Sequence, residues 1–298
     1  MPPNPPCPHR RVTLSRIISA LALGLASPAW AQTAPYQIQF FHIAEGVDVD
    51  VFIPSNSSVN TARPALLMIP GGGWSTSDKQ AMHPLCDAFA RQGFVAVATT
   101  YRHAPQNAWP AQLIDVTQVV WQMREHAQAL GIDPQRIGAI GASAGALLAG
   151  HLGSRDERSP RSGVSSQVQR VISIGGPWNL AHVLTTFQQY NWQTNPVYPD
   201  VSALGMISNL FGHLPTEQEA AQASPYYWVS PHSAPTLMLH GTADTLVPPL
   251  QSTETCKHIR DAGARCDGQL FNGVGHTITA DFLPPMLNFL SDWAPASR

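Results

Sequence analysis

The sequence predicts an α/β domain built on a mostly parallel, eight-stranded sheet flanked by helices. Two observations carry that expectation. Short apolar runs of strand length recur along the chain and, after a first hairpin-like pair, alternate with helical or loop segments. Glycine-rich or turn-forming stretches also leave the ends of several runs, where ligands bind in such sheets. Alternation of this kind implies βαβ units joined by right-handed crossovers.

In chain order, strands are expected at 38–43 and 47–53, which form the hairpin-like pair. Those at 65–69, 94–99, 136–140, 170–174, 235–240 and 268–271 follow. Ala65-Leu66-Leu67-Met68-Ile69 reads as a buried strand, and Pro70-Gly71-Gly72-Gly73-Trp74 follows it directly. Pro84 to Ala90 reads as an amphipathic helix. The run Arg136 to Ile140 reads as a strand, Gly141-Ala142-Ser143-Ala144-Gly145 as a tight turn, and the small-residue stretch Ala146 to Leu152 as the helix after it. Pro235-Thr236-Leu237-Met238-Leu239-His240 is another buried-looking strand, left by a loop carrying Asp244. The last strand, ending at Phe271, is left by Asn272-Gly273-Val274-Gly275-His276-Thr277.

The chemistry follows from the turn at Ser143. A G-x-S-x-G turn holds its serine in a strained backbone conformation, and the flanking glycines let strand and helix approach while the hydroxyl points outward. A serine hydroxyl is a poor nucleophile near neutral pH, so the motif calls for a carboxylate and then a histidine further along the chain. Asp244 and His276 meet that order. The position of His276 after the final strand, between glycine-rich neighbours, separates it from the rest of the 12 histidines. His240, His151 and His103 are expected to be satisfied structural or rim histidines. Acyl transfer also needs donors aimed at an oxyanion, and consecutive glycines after the third strand can turn backbone N–H groups toward a ligand. The same loop lacks both the Lys-Ser/Thr ending of a phosphate loop and the spacing of a dinucleotide fingerprint.

Several segments together resemble an α/β-hydrolase of the bacterial acetyl-esterase, feruloyl-esterase and hormone-sensitive-lipase-like group. They are Ile69 to Trp74 with Asp78-Lys79, Thr100 to Pro105, Trp109 to Asp115, Gly131 to Ile137, Gly141 to Gly145, His240 to Asp244 and Gly275-His276. The resemblance covers nearly all of the chain after its leader. It implies a serine carboxylesterase acting on short-chain or aryl esters of acetyl or feruloyl type, with Ser143, Asp244 and His276 as the triad. It further implies Gly72, Gly73 and Ala144 as backbone oxyanion donors, and no cofactor. Two departures stand out: Pro70 replaces the histidine that often opens the oxyanion loop, and Ala142 replaces the acidic residue that lipase-like relatives often carry before the serine. The second tilts the comparison toward the acetyl- and feruloyl-esterase side. An amidase resembling kynurenine formamidase, a serine peptidase, or a non-catalytic binding protein on the same scaffold are the competing readings, because triad geometry does not specify a leaving group.

Residues 179–232 interrupt the alternation and carry many aromatics, among them Phe187, Tyr190, Trp192 and Tyr198; they are expected to form a small cap over the site. Trp74 and Trp109 are candidate pocket walls. Arg102, Asp115 and Asp133 are expected in structural ion pairs or turn caps.

The N-terminus reads as a secretory signal: Arg10, Arg11 and Arg16, an apolar stretch from Ile17 to Leu25, and Ala29-Trp30-Ala31 as a cleavage site. Cleavage after Ala31 would leave residues 32–298 as one domain, periplasmic or secreted. The apolar stretch falls short of the ~20 residues a spanning helix needs, so no membrane anchor is expected. Arg10-Arg11 leaves a twin-arginine route open. A net charge of −2 without basic runs gives no footprint for nucleic acid or an anionic membrane surface. No Cys or His cluster has metal-ligand spacing. Of the four cysteines, Cys7 lies in the leader and Cys86 is expected as a buried free thiol. Cys256 and Cys266 can either stay free or pair across a short loop in an exported protein.

Overall fold

The computed structural model describes residues 35–55, 62–186 and 202–293. The predicted leader, residues 1–31, and the central part of the predicted cap, 187–201, lie outside the described residues.

Strands β1 (Tyr36–Ala44) and β2 (Val47–Pro54) form the expected hairpin. They are followed by β3 (Arg63–Ile69), β4 (Val95–Thr99), β5 (Ile132–Ala142), β6 (Arg170–Ile174), β7 (Thr236–Gly241) and β8 (Cys266–Phe271). All eight join one sheet in the order β1-β2-β4-β3-β5-β6-β7-β8. β1 and β2 pair antiparallel, as do β2 and β4, and every later pair is parallel. The chain steps from β3 outward to β4 and then returns to place β5 on the other side of β3. That reversal puts the loops leaving β3 and β5 side by side, with Ile69 in register with Gly141.

Strand β3 is buried on both faces because helices cover both sides of the sheet. Its Ala65, Leu67 and Ile69 pack on one side with Val116 and Val120 of α2 (Ala111–Glu125), which continues into the short α3 (Ala127–Leu130). Leu147 and Leu148 of α4 (Ala144–Ser154) join the same layer. Leu66 and Met68 face the opposite layer, against Leu85, Cys86 and Phe89 of α1 (His83–Arg91). Cys86 is the expected free thiol, and burial pushes it far above the usual range. Helices α5 (Leu180–Thr186), α6 (Ala203–Phe211) and α7 (Glu217–Gln222) occupy the ends of the predicted cap region. Helix α8 (Leu250–Asp261) follows β7, and α9 (Leu283–Phe289) closes the second layer with Met286 and Phe289.

The structural residues read from sequence fall where ion pairing requires them. Arg102 forks onto buried Asp115 through Nη2 at 2.7 Å and Nε at 3.0 Å, and Asp133 pairs with Arg136 at 2.6 Å. Cys256 of α8 and Cys266 of β8 are joined in a disulfide with Cα atoms 5.4 Å apart.

Closing a loop of this length restricts the unfolded chain, a contribution of about 3 kcal/mol in the chain-entropy description. Replacing both cysteines by serine should therefore lower the unfolding free energy measured in urea by about 2–4 kcal/mol. An unchanged urea midpoint would show that the cross-link constrains little.

Candidate active site

Ser143 occupies the turn between β5 and α4 at φ +51° and ψ −120°, a conformation that costs an L-residue about 1–3 kcal/mol. The surrounding backbone leaves it no relaxed alternative. A Cβ on Gly141 would lie 2.2 Å from the carbonyl oxygen of Gly145, and one on Gly145 would lie 2.2 Å from that of Ile69. The Ser143 N–H donates to Ile174 O at 2.8 Å, while its carbonyl accepts from Ala146 N–H at 2.9 Å. The hydroxyl is left facing the open end of the sheet.

The loops leaving β7 and β8 meet it there. His276 Nε2 lies 2.9 Å from Ser143 Oγ, and His276 Nδ1 lies 2.7 Å from Asp244 Oδ2. A carboxylate can only accept, so Nδ1 carries the ring proton and Nε2 offers its lone pair to the hydroxyl. The three residues picked from sequence are thus brought together in one hydrogen-bonded line.

The Asp244 carboxylate is fully engaged. Oδ1 accepts the backbone N–H groups of Leu246 and Val247, both at 2.9 Å. Oδ2 accepts from His276 and also from His240 Nε2 at 3.1 Å. Burial by itself pushes this carboxyl up. Hydrogen bonds from His240 and His276, the His276 charge and the Val247 N–H outweigh burial and bring it to about 2.

His240 is satisfied, as expected, but its partners make it part of the site. Its Nε2 faces Val247 O at 2.8 Å as well as Asp244, two acceptors that assign the proton to that nitrogen. Its Nδ1 accepts from the Ser252 hydroxyl of α8 at 2.7 Å. The line therefore runs from Ser143 through His276, Asp244 and His240 to Ser252. The four-residue spacing of His240 and Asp244 around a strand-to-loop turn is the sequence signal for this contact. His151 and His103 are structural: burial pushes His151 down to about 3 and its Nε2 meets Ala223 O, while His103 Nε2 accepts from Ser77 N–H.

The glycine loop after β3 lies against Ser143. Gly72 and Gly73 take φ of +110° and +57°, and a Cβ on Gly72 would overlap Thr76 O at 1.5 Å. The Gly72 carbonyl is held by the N–H groups of Ser75 and Thr76. Among the described residues, no hydrogen-bond acceptor is found for the N–H groups of Gly72, Gly73 or Ala144. Pro70 does not loosen the loop: the buried Tyr101 hydroxyl bonds the carbonyls of Pro70 and Gly71, at 3.1 and 3.3 Å, and a proline keeps its carbonyl.

Two cavities open on Ser143. A cleft of about 450 Å³ is lined by Gly72, Gly73, Asp244, His276, Ile278 and Phe282 among others, and a cavity of about 30 Å³ lies beside it against Trp74, Ala144, Leu180 and Met206. Trp74 is almost wholly buried and walls only the small cavity. Its indole N–H donates to Ala144 O at 3.1 Å, fastening the glycine loop to the first residue of α4. Trp109, the other candidate pocket wall, lines neither of these two cavities. Its half-buried ring packs against the core 5.4 Å from the His151 ring, and its backbone N–H donates to Leu210 O of α6 at 2.8 Å. Among the described residues, no group of three or more His, Cys, Asp or Glu could hold a metal ion. No helix among them is long and apolar enough to cross a membrane.

The eight-stranded sheet and the serine turn at the carboxyl ends of its strands define an α/β-hydrolase fold. The chain belongs to the BD-FAE family, whose family model matches residues 49–259. Among curated relatives it is 28% identical over 216 residues to a protein named probable carboxylic ester hydrolase LipM of Mycobacterium tuberculosis, covering 68% of this chain and 46% of that one. It is 27% identical to a protein named ethyl acetate hydrolase of Pseudomonas putida, covering 76% of this chain and 70% of the relative. The chain spans about half the length of the first curated relatives it matches, 46 to 52%. A solved structure described as a truncated carbohydrate esterase from gut microbiota superposes with a TM-score of 0.72 at 22% identity, over 88% of this chain and 98% of that one, a likeness of fold.

The Asp244 carboxyl gives a pH-dependent consequence. Its folded value lies below the unfolded one of about 3.9, so the ionised form stabilises the folded state by something on the order of 2 kcal/mol. That contribution is complete above about pH 4 and lost as the pH falls through about 2. Thermal melts from about pH 5 down to about pH 2 should show Asp244→Asn losing less of its own Tm than the unaltered protein. Parallel curves would mean that Asp244 titrates at its ordinary value.

Proposed function

We propose that the protein is a serine carboxylesterase that hydrolyses short-chain or aryl esters through Ser143, His276 and Asp244. The observation that carries this reading is the unbroken hydrogen-bonded line from Ser143 Oγ through His276 to Asp244, beside a loop whose Gly72 and Gly73 N–H groups have no acceptor among the described residues.

In this mechanism Ser143 Oγ bonds to the ester carbonyl carbon as His276 Nε2 takes its proton. The N–H groups of Gly72, Gly73 and Ala144 receive the oxyanion. The bond to the alcohol oxygen breaks, and that oxygen leaves with the proton from His276. Water then adds to the acyl-enzyme with His276 again as base, releasing the carboxylic acid and restoring Ser143. Asp244 keeps Nδ1 protonated and stabilises the imidazolium. The names of the esterase relatives support this choice of bond, and Trp74 supports the oxyanion site by joining the glycine loop to Ala144.

The same reading takes residues 1–31 as an export leader and residues 179–232 as a cap beside the cleft. A disulfide between Cys256 and Cys266 supports export, since such bonds persist in oxidising compartments.

Purified residues 32–298 should hydrolyse p-nitrophenyl acetate, and Ser143→Ala should lower kcat by roughly 10⁴-fold or more at unchanged fold. Undiminished turnover in the folded variant, or a preference for formyl-kynurenine or a peptidyl anilide over the ester, would overturn the reading. His240→Leu should lower kcat roughly 10–100-fold with little change in KM, the rate equivalent of about 1.5–3 kcal/mol for one hydrogen bond to a charged group. His240→Gln, which keeps a donor, should recover part of that loss. Equal kcat in all three proteins would show that His240 does not position Asp244.

A further inference from the structure

An ester carbonyl bound at Ser143 has three directions to fill, and the site distinguishes them. Its oxygen faces the N–H groups of Gly72, Gly73 and Ala144. Its leaving oxygen must lie toward His276 Nε2, because that nitrogen returns the proton to it. The acyl chain takes the direction that remains. The two cavities divide in the same way. The cleft of about 450 Å³ carries His276, Thr277, Ile278 and Phe282, whereas the small cavity shares Gly73, Ser143, Met206 and Leu246 with it and does not touch His276. The rest of the small cavity's wall is largely apolar, with Pro177, Leu180, Val183 and Ile207.

We propose, on the basis of the esterase reading, that the small cavity is the acyl pocket and that Met206 sets its length, so that the substrates are acetyl and propionyl esters of bulky alcohols. Its volume of about 30 Å³, against about 450 Å³ for the cleft, suits a short acyl chain and not a feruloyl ring. The bulk of the substrate then lies on the alcohol side, in the larger cleft.

Met206 is the side chain placed to enforce this. It lines both cavities, and it presses so closely on the glycine loop that a Cβ at Gly73 would stand 2.6 Å from its Sδ. The helix beneath it is capped at its start and tethered near its end. Ser202 Oγ accepts from Gly205 N–H at 2.9 Å at the start of α6, and Leu210 O accepts from Trp109 N–H at 2.8 Å near its end. A methionine can bend, but here its flank is closed by the loop on one side and by a tethered helix on the other.

The test uses p-nitrophenyl acetate, butanoate, hexanoate and feruloyl esters with the unaltered protein, Met206→Ala and Met206→Phe. Folding is checked by near-UV circular dichroism. In parallel, p-nitrophenyl phosphonates bearing methyl or hexyl groups trap Ser143 without requiring deacylation. The unaltered protein should lose at least about tenfold in kcat/KM from acetate to butanoate, lose more again to hexanoate, and be slow on the feruloyl ester. Met206→Ala should raise the hexanoate-to-acetate ratio at least about tenfold, and Met206→Phe should lower the butanoate-to-acetate ratio by a similar factor. Trapping rates should follow the same order. Chain-length ratios equal within about threefold in all three proteins, with Ser143 still trapped by the methyl phosphonate, would overturn the acyl pocket and leave the esterase reading standing. A folded protein whose Ser143 resists every phosphonate and every ester would overturn both.

Discussion

The close approach of three backbones around Ser143 is the constraint on which the site depends. Strand β3, strand β5 and helix α4 meet where Gly141 and Gly145 leave no room for a side chain, and Ser143 takes the positive φ that this crossing imposes. The conformational cost at one residue is met by core packing spread over the buried strands on both faces of the sheet. A hydroxyl on a stiff turn is an oriented hydroxyl, and β3 delivers its glycine loop to the same point because its last residue is in register with Gly141.

Electrostatics at the other end of the line depend on that rigidity. A buried carboxylate is costly unless its lone pairs are used, and Asp244 uses both oxygens on four donors: Leu246 N–H, Val247 N–H, His276 and His240. The result is a carboxylate that stays ionised well into acid and fixes the tautomer of His276. His240 connects this carboxylate to Ser252 on α8, so the orientation of the His276 ring is referred to a helix on the covered face of the sheet.

The glycine loop shows how a departure in sequence can be absorbed. Pro70 removes one possible donor, yet Tyr101 and Trp74 hold the loop through other atoms, the first by carbonyls on its entering side and the second by the Ala144 carbonyl across the turn. Met206 in turn lies against the loop, so the placement of the Gly72 and Gly73 N–H groups and the width of the small cavity share one set of contacts.

The sequence by itself determined the parallel sheet, the order of its strands along the chain and the three residues, Ser143, Asp244 and His276, that the fold brings into one hydrogen-bonded line. These were legible because period, chain order and glycine placement are local signals: a buried strand is continuously apolar, and a strained turn needs glycine on either side. It left the cysteines open, and only their placement on α8 and the neighbouring β8 brings Cys256 to Cys266. It offered Trp109 as a pocket wall, whereas tertiary packing laid the half-buried ring against the core beside His151 and used its backbone to tether α6. The link from His240 to Asp244, the fastening of Trp74 to Ala144 and the position of Met206 over Gly73 were likewise decided by tertiary structure. Side-chain direction at such positions depends on which loops of a finished sheet end up adjacent, and strand order in space, with β3 lying between β4 and β5, is a property no local window of sequence contains.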